Sequence, residues 1–282
     1  MPTRCRTTGS RPHEAASPGK GMGEYPRMDS VEILMSVSEL GWHGMPMTST
    51  GGSGRESAGV VWSGESIVTA SVIVALLPIG FLHMSTIGSL DPLTTVISDY
   101  VFQPGGYALL GGAAISMAVA CVALATGLRR AGLPDPRVPA LLFVSAAVAL
   151  VLVALFPTHT PGTPPGLVST LHRTAGGWVF AVLPLAALLV AVRARSAPAW
   201  QPAAVPLSWA AAIAGVISIF FLLNHVPIVI AGSPVFPFLG GVQRVLYAAV
   251  MVVLVMAARA TRLAAERVLD PVPVSPRLRG AA

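Results

Sequence analysis

The chain has 282 residues, of which 54% are hydrophobic and 11% charged, whereas a soluble domain carries about 25% charged residues. That balance excludes an ordinary water-soluble domain. The net charge of +6 does not mark a nucleic-acid binder either, because the basic residues lie in tails and short loops and form no single stripe with interleaved aromatics.

Residues 1–64 are rich in Gly, Ser, Pro, Met and charges of both signs. The best apolar run there, Val31 to Leu40, is interrupted by Glu32 and Glu39, so it makes no signal-peptide core. The region is expected to be a disordered polar tail on the cytoplasmic side. The alternative is a start codon further along, with Met22, Met28, Met35, Met45 and Met47 as candidates. Cys5 lies in this tail and Cys121 in an apolar run, which gives neither a disulfide framework nor a metal motif.

Six apolar segments follow, over about Ser66–Leu82, Tyr107–Leu128, Pro139–Phe156, His172–Val192, Val205–Leu223 and Val242–Ala258. Runs of about 20 apolar residues match a hydrocarbon core roughly 30 Å thick. The fold class is therefore an all-α membrane protein, a bundle of six transmembrane helices over 65–259. A short basic cytoplasmic tail is expected over 260–282. Pro78 and Pro184 fall inside segments one and four and should kink them, which a bilayer helix tolerates if a neighbour satisfies the freed carbonyl. In segment five, Asn224-His225-Val226-Pro227 is the one candidate for a broken helix of the transporter kind.

Loop charge sets the expected orientation. One side of the bundle holds Arg129, Arg130, Arg137, Arg193, Arg195, Arg259, Arg262, Arg267, Arg277 and Arg279, and the other only Arg173 and Arg244. Both termini should be cytoplasmic in a cell-membrane protein, with the first, third and fifth loops facing outward.

On that topology the polar residues gather at the outward face. They are His83, Asp91, Ser98, Asp99, Thr158, His159, His172, Arg173, Asn224, His225, Gln243 and Arg244. One reading is interfacial, with Asp99 pairing Arg173 or Arg244 to hold the loops down. The other is a water-accessible pocket, since ionisable groups near a bilayer tend to be paired or functional. Gly105, Gly106, Gly111, Gly112, Gly176, Gly177, Gly240 and Gly241 crowd the same face and permit close helix approach.

The order of local motifs adds a further clue. Ile97-Ser98-Asp99-Tyr100 is followed by Pro104-Gly105-Gly106-Tyr107. Leu155-Phe156-Pro157-Thr158 leads through a short loop to Leu171-His172-Arg173, with Gly176 and Gly177 behind. This order resembles the bacterial domain of unknown function 998 (DUF998) family of multi-helix integral membrane proteins, over about Ile67 to Ala258. The resemblance implies the architecture and no mechanism.

Three function classes stay open at this point. The first is a non-catalytic membrane protein whose outward polar pocket binds a lipid headgroup or small polar ligand. Its candidate contacts are Ser98, Asp99, His159, His172, Arg173, His225 and Arg244, and either Arg would pair a phosphate or carboxylate. The second is a metal-dependent membrane hydrolase, similar to the ceramidase and progestin-receptor type. It would need zinc on His83, His159, His172 and His225, although the paired-His spacing of that type is missing and no nucleophile elbow surrounds Ser98 or Ser169. The third is a small-molecule transporter. No cofactor is expected for the first class, the expected partner is membrane lipid, and nucleic acid is not one.

Overall fold

The computed structural model describes residues 64–160, 163–164, 166–231 and 236–269. The expected disordered tail, Gly64 apart, and the end of the basic tail from residue 270 lie outside the described residues. Among the described residues six α-helices form: α1 Gly64–Ser85, α2 Gly106–Arg130, α3 Arg137–Leu155, α4 Leu167–Ala194, α5 Gln201–Ala231 and α6 Leu239–Leu269. A short 3₁₀ turn, Ile97–Phe102, precedes α2. All six helices are long and apolar enough to cross a membrane, and among the described residues there is no strand. The protein is a multi-pass helical membrane protein.

Each helix packs on its neighbours in sequence, and α6 also packs on α1, α2 and α4. Ion pairs fix the antiparallel sense. Arg193 at the end of α4 meets Asp135 just before α3 at 3.0 Å, and Arg262 late in α6 meets Glu65 at the start of α1 at 2.9 Å. Both chain ends of the bundle therefore lie at one end, here called the arginine end. His83, His159, His172 and His225 mark the opposite, histidine end.

The core is built from small residues. Ala113, Ala120, Ala146, Ala186, Ala187 and Ala257 are buried, while Leu77, Leu141, Trp209, Val216 and Leu223 are exposed. In lipid there is no hydrophobic force between helices, so small residues that admit close packing hold the bundle together and large apolar ones face the hydrocarbon.

Pro184 shows how a kink is accommodated. Its ring removes the hydrogen bond to the Phe180 carbonyl four residues earlier. The buried Ser218 hydroxyl of α5 donates to that carbonyl at 2.6 Å. At the arginine end the buried Trp200 donates its indole N–H to Ala131 O at 3.1 Å, tying the connection before α5 to the connection before α3.

Three boundaries differ most from the sequence expectation. The helix α4 starts five residues before His172, because Ser169 and Thr170 satisfy the Gly166 carbonyl with their own hydroxyls. This places His172 and Arg173 in the second turn. The helix α5 runs unbroken to Ala231 with Pro206 and Pro227 inside it, so the broken-helix candidate is a continuous helix. The helix α6 runs ten residues past Arg259, with Arg262 bridging to Glu266 at 3.2 Å one turn on. Part of the expected tail is therefore helical.

Packing at the histidine end depends on the absence of a side chain at Gly240. A Cβ there would run into the Thr95 carbonyl and lie 2.9 Å from the Leu93 carbonyl. Gly240→Ala should destabilise the protein by about 1–3 kcal/mol through overpacking. Gly112→Ala, where a Cβ meets nothing within 4 Å, should be neutral or stabilising, since Ala is the better helix former. Thermal unfolding of the two detergent-purified variants checks the pair, and equal midpoints would refute the close-packing account.

Candidate functional site

The histidine end is organised by two arginines with different partners. Arg244, in the second turn of α6, donates from Nη1 to the carbonyls of Pro92 at 2.6 Å, Thr95 at 2.7 Å and Gly240 at 3.0 Å. Its Nη2 donates to the Tyr100 hydroxyl at 2.6 Å, and its guanidinium carbon lies 5.4 Å from the Tyr100 ring centre. That hydroxyl stands 3.0 Å from His83 Nδ1. Since the guanidinium can only donate, the tyrosine oxygen accepts from Arg244, and the same hydroxyl pairs with the His83 ring nitrogen. Gln243 Oε1 accepts from the Ile97 amide at 2.7 Å, and the Gly241 amide donates to Leu93 O at 3.0 Å. The segment before α2 is thus fastened to the start of α6. Gly105 completes it with φ +72°, which favours glycine, and a Cβ at Gly106 would collide with the Tyr100 carbonyl.

Beneath this segment lies a cavity of about 130 Å³, bounded by α1, α2, α3, α4 and α6. Its wall is mainly apolar and includes Ala114, Met117, Leu150 and Phe180, and Gly176 leaves it open on the α4 side. Polar groups come from Ser98, Tyr107, His172, Gln243 and Tyr247. Ile97, Ser98 and Val101 of the 3₁₀ turn form part of its cover.

His172 stands in the wall and does a structural task as well. Its Nδ1 lies 2.6 Å from Phe156 O and 3.2 Å from Val153 O. Both are acceptors at the C-terminus of α3, where helix carbonyls lack partners. Nδ1 therefore carries the proton, and in the neutral ring Nε2 is the acceptor.

Arg173 follows in the chain. Its Nη2 lies 3.3 Å from His159 Nε2, which must accept, so the proton of neutral His159 sits on Nδ1. That Nδ1 is buried without a hydrogen-bond partner among the described residues. Burial, and then the Arg173 charge, hold His159 below its ordinary pKa. His225 stacks on Phe221 with ring centres 5.1 Å apart.

Asp99 corrects an expectation. The ion pairs of the described residues within 4.0 Å do not include it. Burial raises its pKa, while the backbone at Val96 and the more distant charges of Arg173 and Arg244 act the other way. The expected bridge to either arginine is absent because Arg244 is engaged by carbonyls and Arg173 turns to His159.

The structure therefore brings Asp99, His159, His172, Arg173 and His225 into one neighbourhood and separates His83 and Arg244 into the loop fastening. Among the described residues no three His, Cys, Asp or Glu side chains gather to hold a metal ion. His83 and His172 each place Nδ1 against a protein partner. Sequence reasoning missed Tyr100, Tyr107 and Tyr247 as site residues. The usable signal was a polar tip on a large apolar body beside a loop of charged residues.

A family model described as a protein of unknown function, DUF998, matches residues 69–260. No curated protein and no solved structure matches the chain.

Arg244 should be the residue whose loss is felt most at this end. Arg244→Lys cannot reach three carbonyls and a tyrosine at once, because an ammonium lacks the planar fork. Arg244→Lys and Arg244→Met should both destabilise, by on the order of 3 kcal/mol for Met, which leaves buried acceptors unpaired. Denaturation of the purified variants reads this out, and a Lys variant as stable as wild type would show that charge alone suffices.

Proposed function

For this chain, which belongs to the DUF998 family of proteins of unknown function, we propose non-catalytic binding of a membrane amphiphile, its apolar part in the cavity and its polar part at the histidine end. The cavity carries the reading. It is lined mainly by apolar side chains on four helices and α1, and the polar side chains among the lining residues are those of Ser98, Tyr107, His172, Gln243 and Tyr247. An apolar cavity of about 150 Å³ stays dry and accepts a benzene-sized group. A space of about 130 Å³ suits a short length of acyl chain better than a small polar solute. No group of three or more metal-ligating side chains competes with this reading among the described residues.

Gly176→Leu tests it directly. A Cβ at Gly176 meets nothing within 4 Å, and the residue lines the cavity, so a leucyl side chain can fill the space without displacing backbone. Lipid retained per chain through purification, counted by mass spectrometry, should fall about tenfold, while stability stays within about 1 kcal/mol of wild type. Undiminished lipid with a well-folded variant would reject the cavity as the binding site.

The proposed setting is the cell membrane, with the histidine end outward. Support comes from the excess of Arg at the opposite end, at Arg129, Arg130, Arg137, Arg193, Arg195, Arg259, Arg262 and Arg267, since basic residues favour the cytoplasmic side. A topology reporter inserted between α3 and α4 should read external, and one between α2 and α3 cytoplasmic. The reverse pattern would overturn the orientation.

A further inference from the structure

The cavity wall is polar at the histidine end and carries no full charge. Ser98 lies in the 3₁₀ cover, Tyr107 in the first turn of α2, His172 in the second turn of α4 and Gln243 in the second turn of α6. Deeper in the bundle the wall is apolar, with Met117 and Phe180 about three turns into α2 and α4. No Asp, Glu, Lys or Arg is among the lining residues. The hydrogen-bonding capacity left over in this wall is mixed. Gln243 Oε1 accepts from the Ile97 amide at 2.7 Å, which assigns the side-chain amide and leaves its NH₂ group as a donor with no partner among the described residues. His172 Nδ1 donates to the α3 carbonyls. No carboxylate lies within 4.0 Å of that ring among the described residues. An unpaired imidazolium inside a membrane bundle is costly, so the ring is neutral and its Nε2 offers a lone pair. The Ser98 hydroxyl has no partner among the described residues and can donate or accept. Tyr107 and Tyr247 already donate, to Leu155 O at 3.3 Å and Ala75 O at 3.5 Å.

We infer that the amphiphile held in this cavity has an uncharged, hydroxyl-bearing head, as in a long-chain alcohol or a monoacylglycerol. This rests on the cavity reading above. A hydroxyl both donates and accepts, so it suits a wall that offers an acceptor on His172, donors on Gln243 and either role on Ser98. A phosphate or carboxylate would bring its charge to a wall with no cation and with a lone pair on His172. An ammonium would find no carboxylate there. Burying an unpaired ion costs far more than burying a hydroxyl. The two arginines of the histidine end do not change this, since Arg244 is engaged by carbonyls and Tyr100, Arg173 meets His159, and neither lines the cavity. The polar end of the wall sets the head toward the 3₁₀ cover and the chain toward Met117 and Phe180.

The test is native mass spectrometry of the full chain in lauryldimethylamine oxide, titrated at neutral pH with octanol, octyl methyl ether, octyl phosphate and octylammonium. Wild type should bind octanol at least about tenfold more tightly than either ion, a margin well within the penalty for burying an unpaired charge. The ether accepts but cannot donate, so it should bind several-fold more weakly than octanol. Gly176→Leu should abolish octanol binding. Gln243→Glu keeps an oxygen for the Ile97 amide and puts a carboxylate in the wall, so it should raise octylammonium binding at least about tenfold. No such gain in a folded Gln243→Glu protein would overturn the place given to Gln243. An ion bound by wild type as tightly as octanol, and lost in Gly176→Leu, would overturn the uncharged head and leave the cavity reading standing. Ether and octanol bound equally would overturn the hydroxyl as the recognised group. Binding of none of the four, or octanol binding that survives Gly176→Leu, would overturn the cavity reading and this inference with it.

Discussion

The charge of Arg244 must be met at the end of a helix bundle where no acid among the described residues pairs with it. Three backbone carbonyls and a tyrosine hydroxyl take that role, and the ring of Tyr100 adds its π face. Carbonyls can do this only if the chain is bent so that several point at one spot. The segment from Pro92 to Tyr100 has that shape, and Gly240 allows it to lie directly on α6. Once it lies there, Ile97, Ser98 and Val101 cover the space between the helices. The cavity therefore follows from the way one cation is solvated by backbone.

The rest of the bundle obeys the chemistry of its solvent. Lipid supplies no hydrogen bonds, so any backbone group freed by a proline needs a protein partner. Ser218 supplies one for the carbonyl that Pro184 leaves free, and His172 supplies one at the end of α3. These polar side chains serve the helices first. Among the polar groups of the histidine end, the contact of Arg173 with His159 stands out because it leaves donors over. The two arginines differ in their partners, backbone carbonyls and a tyrosine for Arg244 and a histidine for Arg173.

Much of the architecture was legible in the sequence because hydrocarbon thickness is a strict ruler. Six apolar runs had to be six crossings, and an even number had to bring both ends of the bundle together, as the Glu65–Arg262 contact shows. Boundaries were less legible where polar residues belong to a helix. Ser169 and Thr170 look like loop when read for hydropathy, yet they belong to the first turn of α4. Asn224 and Pro227 look like a break, yet Asn224 donates to the Phe220 carbonyl at 2.7 Å within a continuous α5. Late in α6, the pairing of Arg262 with Glu266 carries the helix beyond its apolar stretch.

By itself the sequence determined the solvent, the number of crossings and the end of the bundle at which the histidines, Asp99 and both lone arginines meet. Periodicity and length decide these, and both are local properties. Only the tertiary structure decided which arginine is engaged by backbone and which is left with donors to spare. It also decided that His172 caps a neighbouring helix and that the four histidines do not converge. The engagement of Arg244 depends on where carbonyls more than a hundred residues away in the chain come to lie, those of Pro92 and Thr95. No pattern along the chain encodes such a distance, because it is set by the packing of six helices together.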